Sequence, residues 1–131
     1  MQFNTDKKIC CVIPARNEEK VISQVVESLK AYFSEIIVVD DGSGDNTSEY
    51  ALKAQALVLR HLVNRGQGAS LETGNEMARQ LGADIVVHFD GDGQFDKNDI
   101  PKILQPILSG QADMVFGSRF LGVSSEIPAF K

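Results

Sequence analysis

Asp90-Gly91-Asp92 follows an apolar run, Ile85-Val86-Val87-His88-Phe89, and Gln94 comes two residues later. Side chains at alternate positions on a loop leaving a strand converge, so Asp90, Asp92 and Gln94 bring three oxygen-bearing groups toward one point. Two carboxylates that close repel unless a cation stands between them. A hard divalent ion with oxygen ligands, Mg²⁺ or Mn²⁺, suits such a set and keeps part of its shell for phosphate oxygens. The plain alternative is a turn in which each Asp bonds its own backbone and Gly91 supplies a positive φ. The preceding buried run and the third group at Gln94 favour the metal.

Four further polar clusters follow apolar runs. Pro14-Ala15-Arg16-Asn17-Glu18 leaves the first. Asp40-Asp41-Gly42-Ser43 leaves the second, either as a turn capping the next helix or with a carboxylate free to accept from a base N–H or a ribose hydroxyl. Asp45 suits the capping role as well. In Asn64-Arg65-Gly66-Gln67-Gly68, Leu71 occupies the place of the last glycine of a dinucleotide fingerprint, and the cluster follows the third strand rather than the first. Backbone close to a ligand, with Asn64 and Arg65 beside sugar or phosphate, fits better. Gly117-Ser118-Arg119 places a guanidinium at a strand end, as a solvated charge or as a bidentate phosphate contact. His61 and His88 lack partners at metal-ligand spacing and read as packed or capping residues.

The elements that must hold these clusters alternate between strand and helix. Strands are expected at residues 9–14, 35–39, 56–62, 85–89 and 113–116. Their unbroken apolar character suits a parallel sheet covered on both faces. Val21, Ile22, Val25, Val26 and Leu29 form a helical stripe, with a start expected at Asn17, Glu18 and Glu19. A short helix follows Asp45, and another runs from about Gly68 to Leu81 with Gly74, Met77, Ala78 and Leu81 on one side. A fourth carries Ile100, Ile103, Leu104, Ile107 and Leu108, with Pro101 in its first turn and a kink at Pro106. The fold class is therefore α/β, a three-layer α/β/α arrangement around a mainly parallel twisted sheet. All five clusters then share the carboxyl edge of the sheet, where open parallel sheets bind ligands.

Composition narrows the partners. The 131 residues suit one domain, with 43% hydrophobic and 24% charged residues, as in ordinary globular proteins. A net charge of −5 without a Lys/Arg stripe argues against a nucleic-acid face. Adjacent Cys10 and Cys11 point to opposite faces of a strand and are expected as buried, reduced thiols, which suits a cytoplasmic setting. No apolar run approaches the roughly 18 residues of a membrane span.

In order and combination, these motifs resemble the inverting family 2 glycosyltransferases of GT-A fold. The resemblance runs from Val12-Ile13-Pro14-Ala15-Arg16-Asn17-Glu18 through Val38-Val39-Asp40-Asp41-Gly42-Ser43 and Asn64-Arg65-Gly66-Gln67-Gly68 to Asp90-Gly91-Asp92-Gly93-Gln94 and Gly117-Ser118-Arg119. It is similar above all to the polyprenyl-phosphate (dolichyl-phosphate) mannosyl- and glucosyltransferase branch. The resemblance implies a donor site of Pro14, Ala15, Arg16, Glu18, Asp41, Gly42, Arg65, Gly68, Asp90 and Gly91. It implies Asp90, Asp92 and Gln94 as metal ligands, and Asp92 and Arg119 as the groups nearest the chemistry. The donor would be a UDP- or GDP-linked sugar and the acceptor a polyprenyl phosphate, met at the cytoplasmic face of a membrane. Family members continue beyond the fifth strand with an acceptor lobe and often an acidic base, for which Glu126 is the remaining candidate here. Residues 1–131 are thus expected to be the nucleotide-sugar-binding portion of one glycosyltransferase domain. The tail 118–131 is expected to be poorly ordered, and an edge left open after the fifth strand to promote self-association. A nucleotide-binding module without transfer activity is the alternative. A receiver-like signalling domain fits poorly, because its acidic pair would follow the first strand, where Pro14-Ala15-Arg16 stands.

Overall fold

The computed structural model describes residues 7–92, 98, 100–102, 105, 114–117 and 120–124. Strand β1 (Ile9–Ala15) is followed by helix α1 (Ile22–Leu29), β2 (Glu35–Asp41), α2 (Thr47–Lys53), β3 (Leu57–His61), α3 (Gln67–Gln80) and β4 (Ile85–Phe89). Strands β5 (Met114–Gly117) and β6 (Phe120–Ser124) complete a six-stranded sheet in the order β3-β2-β1-β4-β6-β5. Pairing is parallel between β1 and β2, β1 and β4, and β2 and β3, and antiparallel where β6 lies between β4 and β5. The chain first moves outward from β1 to β3, then returns to β1's other side. The order therefore reverses between β1 and β4, the place where such sheets open a ligand crevice.

Alternation along the central strands fills two cores. Cys11, Ile13, Val38, Val87 and Phe89 face α1, whose Ile22, Val25, Val26 and Leu29 are buried against them. Phe33 meets Phe89 edge to face at 6.0 Å there. Cys10, Val12, Ile37, Val39 and Val86 face α3, with Ala78 buried and Met77 and Leu81 packed beside them. The two thiols thus point to opposite layers as expected, and burial pushes that of Cys10 up to about 11 and that of Cys11 well above its ordinary range. Helix α3 approaches β1 closely because residue 74 is glycine: a Cβ there would lie 2.3 Å from Val12 Cγ1.

Two expectations need correction. Asn17, Glu18 and Glu19 do not begin α1, which starts at Ile22. Asn17 has φ +56°, outside the helical region, and the amides of this loop are drawn sideways onto the loop after β2. Asn17 N donates to Ser43 Oγ at 2.8 Å, Glu18 N to Thr47 Oγ1 at 2.9 Å and Glu19 N to Asp45 Oδ2 at 3.3 Å. Secondly, the segment read as an unpatterned tail contains β6. Gly122, which masked the alternation, is paired with His88 of β4, beside a register irregularity at His88/Phe89, a place where a glycine is tolerated in a strand. Strand β5 forms one edge of the sheet, with β6 between it and β4. Strand β3 ends at His61, one residue earlier than expected, and Leu62 is 95% exposed. Ile100, Pro101, Lys102 and Gln105 are helical as expected. Pro106 with its kink, and residues 103, 104, 107 and 108, lie outside the described residues.

Candidate nucleotide-sugar site

The carboxyl ends of β1 and β2 and the start of α3 enclose a cavity of about 290 Å³. Pro14, Ala15, Arg16 and Glu18 form one wall, Asp41 the floor, and Asn64, Gly66, Gln67 and Ser70 the other wall. Six of the residues named from sequence thus meet here: Pro14, Ala15, Arg16, Glu18, Asp41 and Asn64. Gln67 and Ser70 were missed. The signal for Ser70 was its spacing, since Ser70, Gly74 and Ala78 recur every four residues as the small, buried face of α3.

The two aspartates that end β2 point to opposite sides and do different work. Asp40 is fully buried: Oδ1 accepts from Ser43 N at 2.9 Å, and Oδ2 accepts from the Ser48 hydroxyl and from Arg60 Nη1 at 2.9 Å. Arg60 Nη2 also donates to Ser43 O at 2.8 Å, so Asp40 shapes the turn into α2. Asp41 faces the cavity. Its Oδ1 accepts from Arg65 N and from the His61 ring, its Oδ2 from Gly66 N, each at 2.8 Å. Burial pushes the Asp41 carboxyl up, but the Arg65 amide, the His61 ring and the Gly66 amide outweigh it and hold it below the ordinary carboxylate value. A carboxylate offers about four acceptor positions, so one on Oδ2 is left for a ligand donor.

Two glycines bring the loops together. Gly42, at φ +73°, lies so close to the loop after β3 that a Cβ would stand 2.7 Å from Asn64 N. Gly91 lies under β1's end, where a Cβ would meet Ala15 Cβ and Pro14 O at 3.0 Å each. That contact sets Asp90 and Asp92 beside the Pro14–Arg16 wall, although neither lines the cavity. Burial, then the neighbouring Asp92, pushes the Asp90 carboxyl up. Burial followed by Asp92, Asp45 and Asp90 does the same to Glu18. Glu18 therefore belongs to the acidic basin as well as to the cavity, a link its place in the sequence did not reveal.

The remaining sequence candidates separate. Arg65 contributes its backbone N–H to Asp41, while the residue is exposed. Gly68 sits exposed in the first turn of α3, outside the cavity wall. Gln94, Arg119 and Glu126 lie outside the described residues. Among the described residues no three His, Cys, Asp or Glu side chains gather as a complete metal site. Asp90 and Asp92 supply two hard oxygen donors whose mutual repulsion a divalent cation would relieve, which fits Mg²⁺ or Mn²⁺.

The family model described as Glycosyl transferase family 2 matches residues 10–127. The chain belongs to that family. A UDP-N-acetylglucosamine–dolichyl-phosphate N-acetylglucosaminyltransferase from Methanococcus voltae is 39% identical over 132 residues, covering 87% of this chain and 53% of the relative. An undecaprenyl-phosphate 4-deoxy-4-formamido-L-arabinose transferase from Photorhabdus laumondii is 29% identical, covering 84% of this chain and 37% of the relative. Among solved structures, glucosyl-3-phosphoglycerate synthase from Mycobacterium tuberculosis, crystallised with Mn²⁺, UDP and glucosyl-3-phosphoglycerate, superposes with a TM-score of 0.69 at 29% identity. That match covers 83% of this chain and 43% of the solved one. The architecture is the GT-A, Rossmann-like α/β fold. The chain spans about half the length of the curated relatives it matches.

Proposed function

We propose that residues 1–131 are the donor-binding portion of a single glycosyltransferase domain that moves a sugar from a UDP-linked donor to a polyprenyl phosphate. The observation that carries this reading is the cavity at the β1/β2 ends with the Asp90–Asp92 loop pressed against it through Gly91. Asp41 offers its remaining Oδ2 position to a uracil N–H or a ribose hydroxyl, and the Pro14–Arg16 wall packs on the nucleoside. Asp90 and Asp92, with Gln94, would hold Mg²⁺ or Mn²⁺. The ion, when bound, supplies Lewis-acid stabilisation of the negative charge that builds on the departing diphosphate. Arg119 adds a guanidinium for the same oxygens. An acceptor phosphate oxygen attacks the anomeric carbon from the face opposite the diphosphate, which inverts the configuration. A phosphate is already ionised and needs no protein base to activate it.

The ligands of the relatives support this choice: a UDP-sugar donor and dolichyl phosphate in one, undecaprenyl phosphate in another, Mn²⁺ with UDP in the solved structure. No helix among the described residues is long and apolar enough to cross a membrane. The whole protein would meet its lipid acceptor at the cytoplasmic membrane face. Calorimetry tests the site. UDP should bind more tightly with Mn²⁺ or Mg²⁺ than with EDTA, and Asp92→Ala should abolish most of the difference. Equal affinity for UDP, and for GDP, in both buffers would overturn the metal-diphosphate reading.

A further inference from the structure

His61 is drawn into the site by its position in the sheet. It is the last residue of β3 and stands in register opposite Asp41, the last residue of β2. Both side chains turn toward α3, and both are 7% exposed. The His61 ring bridges two elements, with Nδ1 2.8 Å from Asp41 Oδ1 and Nε2 2.8 Å from Thr73 Oγ1 of α3. An ionised carboxylate only accepts, so Nδ1 carries the hydrogen of the Asp41 bond. The chain of bonds then runs from Thr73 through His61 and Asp41 to the amides of Arg65 and Gly66.

Apart from Asp41, the loop at the end of this chain is held through its backbone: Gly66 N donates to Asn64 Oδ1 and Gly66 O accepts from Ser70 N and Ser70 Oγ, at 3.1 Å each, and Gly42 packs against Asn64. Leu62 and Val63 are 95% and 66% exposed, so their side chains do not fasten it to either core. Gly66, at φ +99°, sits where side-chain-bearing residues are strained, so the backbone there must be kept in an unusual conformation. Its amide, and that of Arg65, are tied to Asp41. Asn64 and Gly66 are also cavity wall.

We propose that His61 is a positioning residue for nucleotide binding, acting through Asp41: its Nδ1–H fixes the carboxylate, which in turn holds the 64–66 wall of the cavity. The inference rests on reading that cavity as the nucleoside pocket. Without the Nδ1 bond the carboxylate is held by the two loop amides alone, which weakens both its grip on the loop and the aim of its remaining acceptor position.

Two substitutions separate the two ends of the ring. The amide nitrogen of Asn falls near the place of Nδ1, whereas that of Gln falls near Nε2. His61→Asn keeps a donor for Asp41 and gives up Thr73; His61→Gln does the reverse. UDP affinity with Mn²⁺ is measured by calorimetry, and amide hydrogen exchange at Arg65 and Gly66 is measured without ligand. The Gln variant should bind UDP about tenfold more weakly and exchange those amides about tenfold faster, the scale of one hydrogen bond to a charged group. The Asn variant should stay within about threefold of the parent in both, on the same scale. Equal losses in the two variants, or weaker UDP binding with unchanged exchange, would overturn the proposal. A parent protein that binds neither UDP nor GDP would overturn the pocket reading itself. The exchange contrast would then still support or overturn the anchoring by His61.

Discussion

Adjacent carboxylates on a strand look alike in a sequence and need not do the same work. Asp40 holds Ser43, Ser48 and Arg60 beneath the β2–α2 turn, whereas Asp41 holds the loop after β3 and faces the cavity. The sequence named Asp41 as a candidate, and it does line the cavity, but its internal bonds stayed unseen, because those depend on which residue of β3 lies beside it. Asp41→Asn would turn an NH₂ group toward one of three N–H donors, so it should cost about 1.5–3 kcal/mol of stability and also weaken UDP binding. The pH dependence follows from the directions of two shifts. The Asp41 carboxyl is lowered in the fold, so its contribution is complete above the ordinary carboxylate value and is lost as pH falls through the lower, folded value. Burial pushes the His88 imidazole down to about 4, so its contribution is complete above the ordinary histidine value of about 6.5 and fades as pH drops toward 4. Denaturant titrations across this range should show an early decline that His88→Leu removes, and a later one, below about pH 4, that Asp41→Asn removes.

At the level of elements, glycines decide which loops touch. Gly91→Val would force branched carbon into a space bounded by backbone, Pro14 O, and by Ala15. The Asp90–Asp92 loop must lift, since β1 is packed on both faces. The expected result is a stability loss of about 1–3 kcal/mol, typical of overpacking, and a smaller Mn²⁺-dependent gain in UDP affinity, read by thermal melting and calorimetry. Much of this level was legible in advance. The first, second and fourth strands announced themselves as apolar runs, and α3 as a face of small and apolar residues. What stayed hidden was tertiary in origin. The loop after β1 is shaped by hydrogen-bond partners in the loop after β2, about 26–29 residues on, and no local pattern records them. Strand β6 forms because β4 and β5 offer edges on either side of it, not because Phe120–Ser124 alternates.

For the molecule as a whole, the order β3-β2-β1-β4-β6-β5 puts the first strand near the middle of the sheet. The candidate site depends on that, because the cavity lies at the ends of β1 and β2 while the acidic loop belongs to β4. It also gives the chain a problem in time. Strand β2 forms soon after β1, but β4 begins about 70 residues after β1 ends. At a synthesis rate of roughly 5–20 residues per second, β1 waits some 4–14 s for its second neighbour. During that interval the amides and carbonyls of residues 9–12 form a bare strand edge open to other chains. Pulse-labelled exchange during refolding should therefore protect the amides of β1–β3 before those of β4, whereas simultaneous protection would mean that the sheet closes in one step. Aggregation during expression would then fall chiefly on chains stalled before β4 emerges, so mutations that slow or weaken β4 should lower soluble yield even when the finished fold tolerates them.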